Sequence, residues 1–269
     1  MKIIIEDPAA RALICVLAAA LGTIFASFIG CAAWRITRGE SFLTGRSRCD
    51  ACGHVLGAAD LIPIISYIAL GGKCRYCGAK IPPRCVWTEV LLGASFAALV
   101  LRFGVSGETL RYMGLFVILL GLSLVDLDTF RIPDGFILAG IIWWAVTIPL
   151  CMGLAGDGNL FVKTGTHLPS GLLGGFIIAG GMLALVLIFD KVSGKETMGG
   201  GDIQLFFVSG LYLGPAVGFF NVILSCVTGL LFVAVTKQRR IPFGPSISLA
   251  TAISIFVGPA VVAWYAGLF

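Results

Sequence analysis

Met198-Gly199-Gly200-Gly201-Asp202 separates a charged segment, Lys191 to Glu196, from an apolar run that begins at Ile203. Asp202 therefore stands at the mouth of a hydrophobic segment. A carboxylate there is unfavourable unless it has a partner or a task. The three glycines before it permit close backbone approach or dihedrals closed to other residues.

The same contrast recurs along the whole chain. Its 269 residues are 58% hydrophobic and 12% charged, against about 25% charged in soluble domains, and the mean hydropathy is +1.00. A soluble domain cannot bury that much apolar side chain, so the composition predicts an all-α, polytopic membrane helical bundle. The first apolar run, Ala12 to Trp34, is too long for a signal-peptide core and lacks a good cleavage site, so it reads as a retained span.

Spans are expected at about 12–34, 86–103, 112–127, 135–155, 170–189 and 246–267. The run 203–236 exceeds the roughly 20 residues that cross a bilayer. Gly214-Pro215 near its middle is a natural turn, giving two spans there and about eight transmembrane helices overall. The polar insert 35–85 is the one long hydrophilic region. With eight spans it shares a side with 128–134, 190–202 and 237–245, and these hold most of the 19 Lys and Arg residues. The positive-inside rule makes that side cytoplasmic.

Within the insert stand Cys49-Asp50-Ala51-Cys52 and Cys74-Arg75-Tyr76-Cys77, each followed by glycine, Gly53 or Gly78. Two such knuckles fit a structural zinc site of four thiolates, Cys49, Cys52, Cys74 and Cys77, with no open position for catalysis. A redox pair or incidental pairs are the alternatives; one reactive dithiol does not account for a matched second pair. Cys85 is a rival ligand, and His54 beside the cluster is equally well a solvent-facing residue. The odd total of nine cysteines argues against a closed disulfide framework, and a cytoplasmic insert keeps thiols reduced. The insert is rich in Gly and Arg but has no interleaved aromatics, so nucleic acid is not an expected partner.

At the depth of Asp202, the expected topology places Asp126 and Asp128 at the end of the third span and Asp134 at the start of the fourth. Asp126 is the deepest of these, and Asp134 after Pro133 reads as a turn or N-cap residue. Two carboxylates at one depth can share a proton and titrate as a pair, which is the aspartic-protease arrangement. Helix caps or ion pairs with Arg131 and Lys195 are the plainer reading, and an ion path through a transporter is another. No Ser elbow or His-Glu-x-x-His helix offers a different hydrolysis, and His167 falls on the outer side.

Taken together, these blocks resemble the type IV prepilin leader peptidases, polytopic aspartic peptidases of the Gly-x-Gly-Asp class. The resemblance runs through Ser27-Phe28, Trp34-Arg35-Ile36 and Ser47-Arg48-Cys49-Asp50-Ala51-Cys52. It continues through Ile62-Pro63-Ile64-Ile65-Ser66-Tyr67, the second knuckle with its flanks from Gly71 to Ile81, Arg84 and Glu89. Asp126-Leu127-Asp128 with Ile132-Pro133-Asp134, the block ending at Asp202, and Ile241-Pro242-Phe243-Gly244-Pro245 complete it.

The resemblance implies catalytic roles for Asp126 and Asp202, a first span and head over 1–34, a cytoplasmic four-cysteine zinc insert over 35–85, and a peptidase domain over 86–269. It further implies a multi-pass protein of the cytoplasmic (inner) membrane. The implied substrates are type IV prepilins or pseudopilins, cut after a glycine at the cytoplasmic face; Arg131 and Lys195 there read equally as binders of a substrate carboxylate or as solvated interface residues. Many members also methylate the new N-terminus with S-adenosylmethionine; no glycine-rich nucleotide loop in this chain marks where that donor would bind. The chain departs from the family pattern at Gly30, Pro82, Cys85 and Val86, in the region tied to methyl transfer, and at Gln204 after the Asp202 block. The competing functional classes are an ion- or proton-coupled transporter using the same aspartates and a non-catalytic pilus or secretion assembly protein.

Overall fold

A computed structural model of the chain describes residues 7–42, 44–151, 167–194, 198–237 and 242–268. Among them are eight α-helices and no sheet: α1 (Pro8–Thr37), α2 (Ile65–Ala69), α3 (Pro83–Phe103), α4 (Gly107–Thr129), α5 (Asp134–Cys151), α6 (Leu168–Ser193), α7 (Gly200–Thr236) and α8 (Gly244–Ala266). All but α2 are long and apolar enough to cross a membrane. In lipid every backbone polar group must be satisfied internally, which is why these apolar runs resolve as helices. The chain is thus a multi-pass helical membrane protein. Lys195, Glu196, Arg239, Arg240, Ile241 and residues 156–166 of the expected polar loop lie outside the described residues.

The chain forms two compact units, residues 2–125 and 126–269. In the first, α1 begins on Asp7, whose carboxylate accepts from the N–H groups of Ala9 and Ala10, and packs along α3. The helices touch backbone to backbone. A Cβ on Gly22 would lie 2.7 Å from the Leu92 carbonyl oxygen, and one on Gly93 3.0 Å from that of Ala19. Without a hydrophobic drive between helices in lipid, small residues at the contact supply the association. Between α1 and α3 the insert forms two short hairpins, paired at Arg48–Val55 and Lys73–Lys80.

In the second unit α7 packs against α5, α6 and α8. It is helical almost throughout, but Gly214 has φ 74° and ψ 177°, a conformation that glycine alone adopts readily. The chain folds back there. Asn221 Nδ2 donates to Ser209 Oγ at 3.2 Å, whereas in a straight helix twelve residues rise about 18 Å. The long run therefore forms two limbs, 200–213 and 215–236, as the Gly-Pro pair predicts. The first limb rises only about 21 Å, short of the ~30 Å hydrocarbon core. Its tip at Gly214 and Pro215 is buried, where non-helical backbone is tolerated at membrane depth. Gly174 of α6 lies against the Gly210 carbonyl, and a Cβ on Gly210 would come within 2.6 Å of the Gly174 oxygen. Tyr212 Oη donates to the Gly140 carbonyl oxygen at 2.9 Å, tying this limb to α5.

Candidate active site

Asp126 lies one turn before the end of α4, where Phe130 takes a left-handed φ of 54° and donates its N–H to the Asp126 carbonyl oxygen at 2.8 Å. The Asp126 side chain is 3% exposed. Its Oδ2 accepts the Gly244 N–H at 2.9 Å. That donor is one of the N–H groups that the start of a helix leaves without an intrahelical partner. Phe243, the N-cap residue of α8, has no side chain able to take it. Pro245 beside it has no N–H, so Asp126 in effect caps α8 from another helix.

Asp202 stands in the first turn of α7, which Gly199 opens, and its N–H donates to the Gly199 carbonyl oxygen at 3.1 Å. Gly201 beside it lies against Ile132 of the linker after α4, and Phe206, one turn on, meets Phe243 at the start of α8 with ring centroids 6.2 Å apart. Helix end α4, helix start α7 and helix start α8 thus converge, and the two aspartates singled out in the sequence stand on the first two of them. Asp128 is exposed, and Asp134 is exposed in the first turn of α5. Arg131 is exposed as well.

The three glycines before Asp202 are not equivalent. A Cβ on Gly201 would lie 2.9 Å from the Ile132 Cβ, whereas one on Gly200 would meet nothing within 4 Å. Gly201 lets the first turn of α7 lie against the linker after α4, which sets how closely Asp202 approaches Asp126. Gly201→Ala is expected to lower any activity of this site by about tenfold or more. Gly200→Ala should stay within about twofold, because only an exposed helix position changes. Parallel rates at matched protein levels check the pair.

The second cluster comprises Cys49, Cys52, Cys74 and Cys77, whose sulfurs all lie within 4.8 Å of one another. The two knuckles repeat one hydrogen-bond pattern. Cys49 N–H donates to His54 O and Gly53 N–H to Cys49 O, as Cys74 N–H does to Ala79 O and Gly78 N–H to Cys74 O. Gly53 and Gly78 take φ of 69° and 71°, which is why glycine follows each second cysteine. The backbone N–H groups of Cys52 and Ala51 bring the Cys49 thiol down to about 7, favouring the thiolate that a metal needs. This cluster can hold a metal ion. Cys85 is not part of it. His54 stacks on Tyr76 at 3.6 Å between ring centroids, joining the knuckles. Asp60 accepts from Arg75 Nε at 2.7 Å and from Tyr76 Oη at 3.3 Å, and the Arg75 guanidinium holds its carboxyl below the usual range.

Three features of these sites have no signature in the residue string. The Gly244 N–H is a backbone group, although the Gly244-Pro245 pair marks where it would be left over. Arg35, buried, donates to the Thr44, Gly45 and Arg46 carbonyls and fixes the entry to the insert. A cavity of about 690 Å³ lies in the first unit, with Trp34, Tyr67, Cys49, Cys74 and Glu89 in its wall.

Residues 20–103 match the family model described as Bacterial Peptidase A24 N-terminal domain, and residues 113–234 match Type IV leader peptidase family. The chain is 33% identical over 222 residues to the prepilin leader peptidase/N-methyltransferase of Burkholderia pseudomallei, covering 79% of this chain and 67% of that protein. It is 32% identical over 269 residues to the type 4 prepilin-like proteins leader peptide-processing enzyme of Escherichia coli, covering 90% and 93%. It is 30% identical over 254 residues to the prepilin leader peptidase/N-methyltransferase of Bacillus subtilis, covering 91% and 94%. No solved structure matches. With family models matching residues 20–103 and 113–234, and the Escherichia coli and Bacillus subtilis relatives aligned over 93% and 94% of their lengths, the chain is a member of the type IV leader peptidase family.

Proposed function

We propose that this chain is a membrane aspartic endopeptidase that removes the basic leader of type IV prepilins or pseudopilins after a glycine, with Asp126 and Asp202 as its catalytic pair. The observation that supports the reading is the convergence of the helix ends that carry these two carboxylates, with Asp126 buried and held by the Gly244 N–H. Two interacting carboxylates hold one proton between them. The ionised member takes a proton from water as the water oxygen attacks the scissile carbonyl. The protonated member donates a hydrogen bond to that carbonyl oxygen. Collapse of the tetrahedral species passes a proton to the leaving amine, and the pair is restored.

The basic linkers, by the positive-inside rule, support a cytoplasmic position for this end of the bundle. A substrate's charged leader then stays in water and its apolar helix stays in lipid. Residues 86–269 carry the peptidase, and 35–85 form a metal-bearing insert. The pairing is tested by leader removal from a synthetic prepilin peptide, read by mass.

The insert's metal is assigned as zinc. Zn–S bonds of about 2.3 Å put tetrahedral sulfurs about 3.8 Å apart, and Cys49 and Cys77 Sγ stand at 3.8 Å. Four thiolates close the coordination sphere, so the ion is structural.

The cavity of the first unit is assigned to S-adenosylmethionine. Its volume is that of a cofactor pocket, Trp34 and Tyr67 offer aromatic faces, and Glu89 is a buried carboxylate suited to a cation. When bound, the donor supplies an electrophilic methyl group on a sulfonium centre. Glu89 Oε2 accepts the Ile64 N–H at 2.8 Å. Ile64 itself has φ 61°, an outlier for a β-branched residue of the kind that clusters at ligand sites. Gly30, Pro82, Cys85 and Val86, the four departures from the family pattern in this region, all line the cavity. A Cβ on Gly30 would meet nothing within 4 Å, so that departure removes no packing contact. Calorimetry with S-adenosylhomocysteine is expected to show one site per chain, weakened about tenfold or more in Glu89→Gln by loss of the charge. Absence of binding at millimolar ligand would refute the assignment.

A further inference from the structure

A buried amide sits deeper in the second unit than the two aspartates. Asn221, on the second limb of α7, is fully buried. Its Nδ2 donates to Ser209 Oγ of the first limb at 3.2 Å. Its Oδ1 faces the hydroxyls of Thr251 and Ser254 on α8, each at 3.5 Å. Ser209, Thr251 and Ser254 are buried as well. Ser209 Oγ also donates to the Phe206 carbonyl at 3.0 Å, which anchors it to its own helix, and the single Thr251 hydroxyl proton is shared between Asn221 Oδ1 and the Ile247 carbonyl at 2.8 Å. One side chain thus binds three helical segments where no water competes.

The spacing of these contacts connects them to the aspartates. Ser209 lies seven residues after Asp202, and Thr251 seven residues after Gly244. Seven residues are two helical turns, about 10.5 Å along the axis and on nearly the same face. Asn221 therefore ties together, at one level, the two helix faces that two turns away carry Asp202 and the N–H that holds Asp126. The amide sets the lateral distance between the first limb and α8, and so the distance between the carboxylates.

We propose that Asn221 is a positioning residue for the aspartate pair: it touches no reacting atom and keeps the pair in register through Ser209, Thr251 and Ser254. The inference rests on the peptidase reading above and adds to it the device that fixes the pair.

The test uses the full chain in nanodiscs with a prepilin peptide, comparing Asn221→Leu, Ser209→Ala, Thr251→Val, Thr251→Ser and the control Asp202→Asn. Asn221→Leu keeps the number and branching of the heavy atoms and removes every side-chain hydrogen bond. It is expected to lower kcat by about tenfold or more, as small misplacements of reacting groups do, with KM within about twofold. Ser209→Ala should lower kcat in the same sense, and it carries the test if the leucine variant does not accumulate. Thr251→Val should fall below Thr251→Ser, since the first loses the hydroxyl and keeps the shape. A purely structural role gives the reverse order. Wild-type kcat in both Asn221→Leu and Ser209→Ala, or a loss confined to KM, would overturn the proposal. Cleavage that persists in Asp202→Asn would instead overturn the peptidase reading beneath it.

Discussion

Asp126→Asn and Asp202→Asn are each expected to lower leader removal by about 10³-fold or more, the upper range for loss of a positioned acid or base. The double variant should be scarcely worse than either alone, because groups that act as one unit are not additive. Asparagine is the informative replacement. At 126 its side-chain oxygen still accepts the Gly244 N–H, so α8 keeps its partner and the fold stays intact while the titratable group is gone. At 202 the residue is in the first turn of α7 beside Gly199, a position that asparagine tolerates. The wild-type rate should be bell-shaped in pH, since activity needs one proton on the pair and is lost with two or none. Single-turnover rates at matched protein levels measure both effects. Equal multiplicative losses in the double variant would mean two separate roles instead of one pair.

Cys74→Ser is expected to abolish metal binding and destabilise the first unit. Cys74 is buried, and its backbone closes the second knuckle through Ala79 and Gly78. Structural zinc contributes about 10–16 kcal/mol in small zinc-folded peptides, so a site reduced to three thiolates loses much of what orders the insert. Zinc content by mass spectrometry should fall from one equivalent to about 0.2 or less, with a marked drop in accumulated protein. Cys49 and Cys74 both stand in the wall of the 690 Å³ cavity, so S-adenosylhomocysteine binding should fall with the metal. Chelation of the wild type should reproduce the pattern. The aspartates and the Gly244 donor belong to the second unit, so leader removal per folded molecule should change little. Unchanged zinc in Cys74→Ser would refute the four-thiolate site.

The membrane spans are legible in the sequence because lipid leaves the backbone few options, and hydropathy marks their ends to within a few residues. The reversal at Gly214-Pro215 is legible for a related reason: the run is too long for one crossing and contains a single strong breaker. The knuckles are legible because their chemistry fixes both residue type and spacing. What joins the site is less so. The Gly244 N–H on Asp126 is a backbone group, and the contact of Gly201 with Ile132 depends on how one helix end meets a linker. Asn221 has no distinguishing pattern in the sequence, where it is one of several polar residues in the apolar run, with Gln204, Ser209, Ser225 and Thr228. Its meaning appears only when the fold brings Ser209, Thr251 and Ser254 around it. The cavity likewise draws its wall from α1, the insert and α3, which are far apart in the chain.

The most direct test contrasts two aspartates that stand two residues apart at one helix end. Asp126 is buried and bonded to α8; Asp128 is exposed. A prepilin peptide with a basic leader ending in glycine is incubated with wild type, Asp126→Asn and Asp128→Asn in nanodiscs, and intact mass reports the shortened product. Wild type is expected to cleave fully, Asp128→Asn within about threefold of that, since substitution of an exposed residue is mild, and Asp126→Asn not at all. Cleavage that survives in Asp126→Asn and vanishes in Asp128→Asn would contradict the pairing of Asp126 with Asp202.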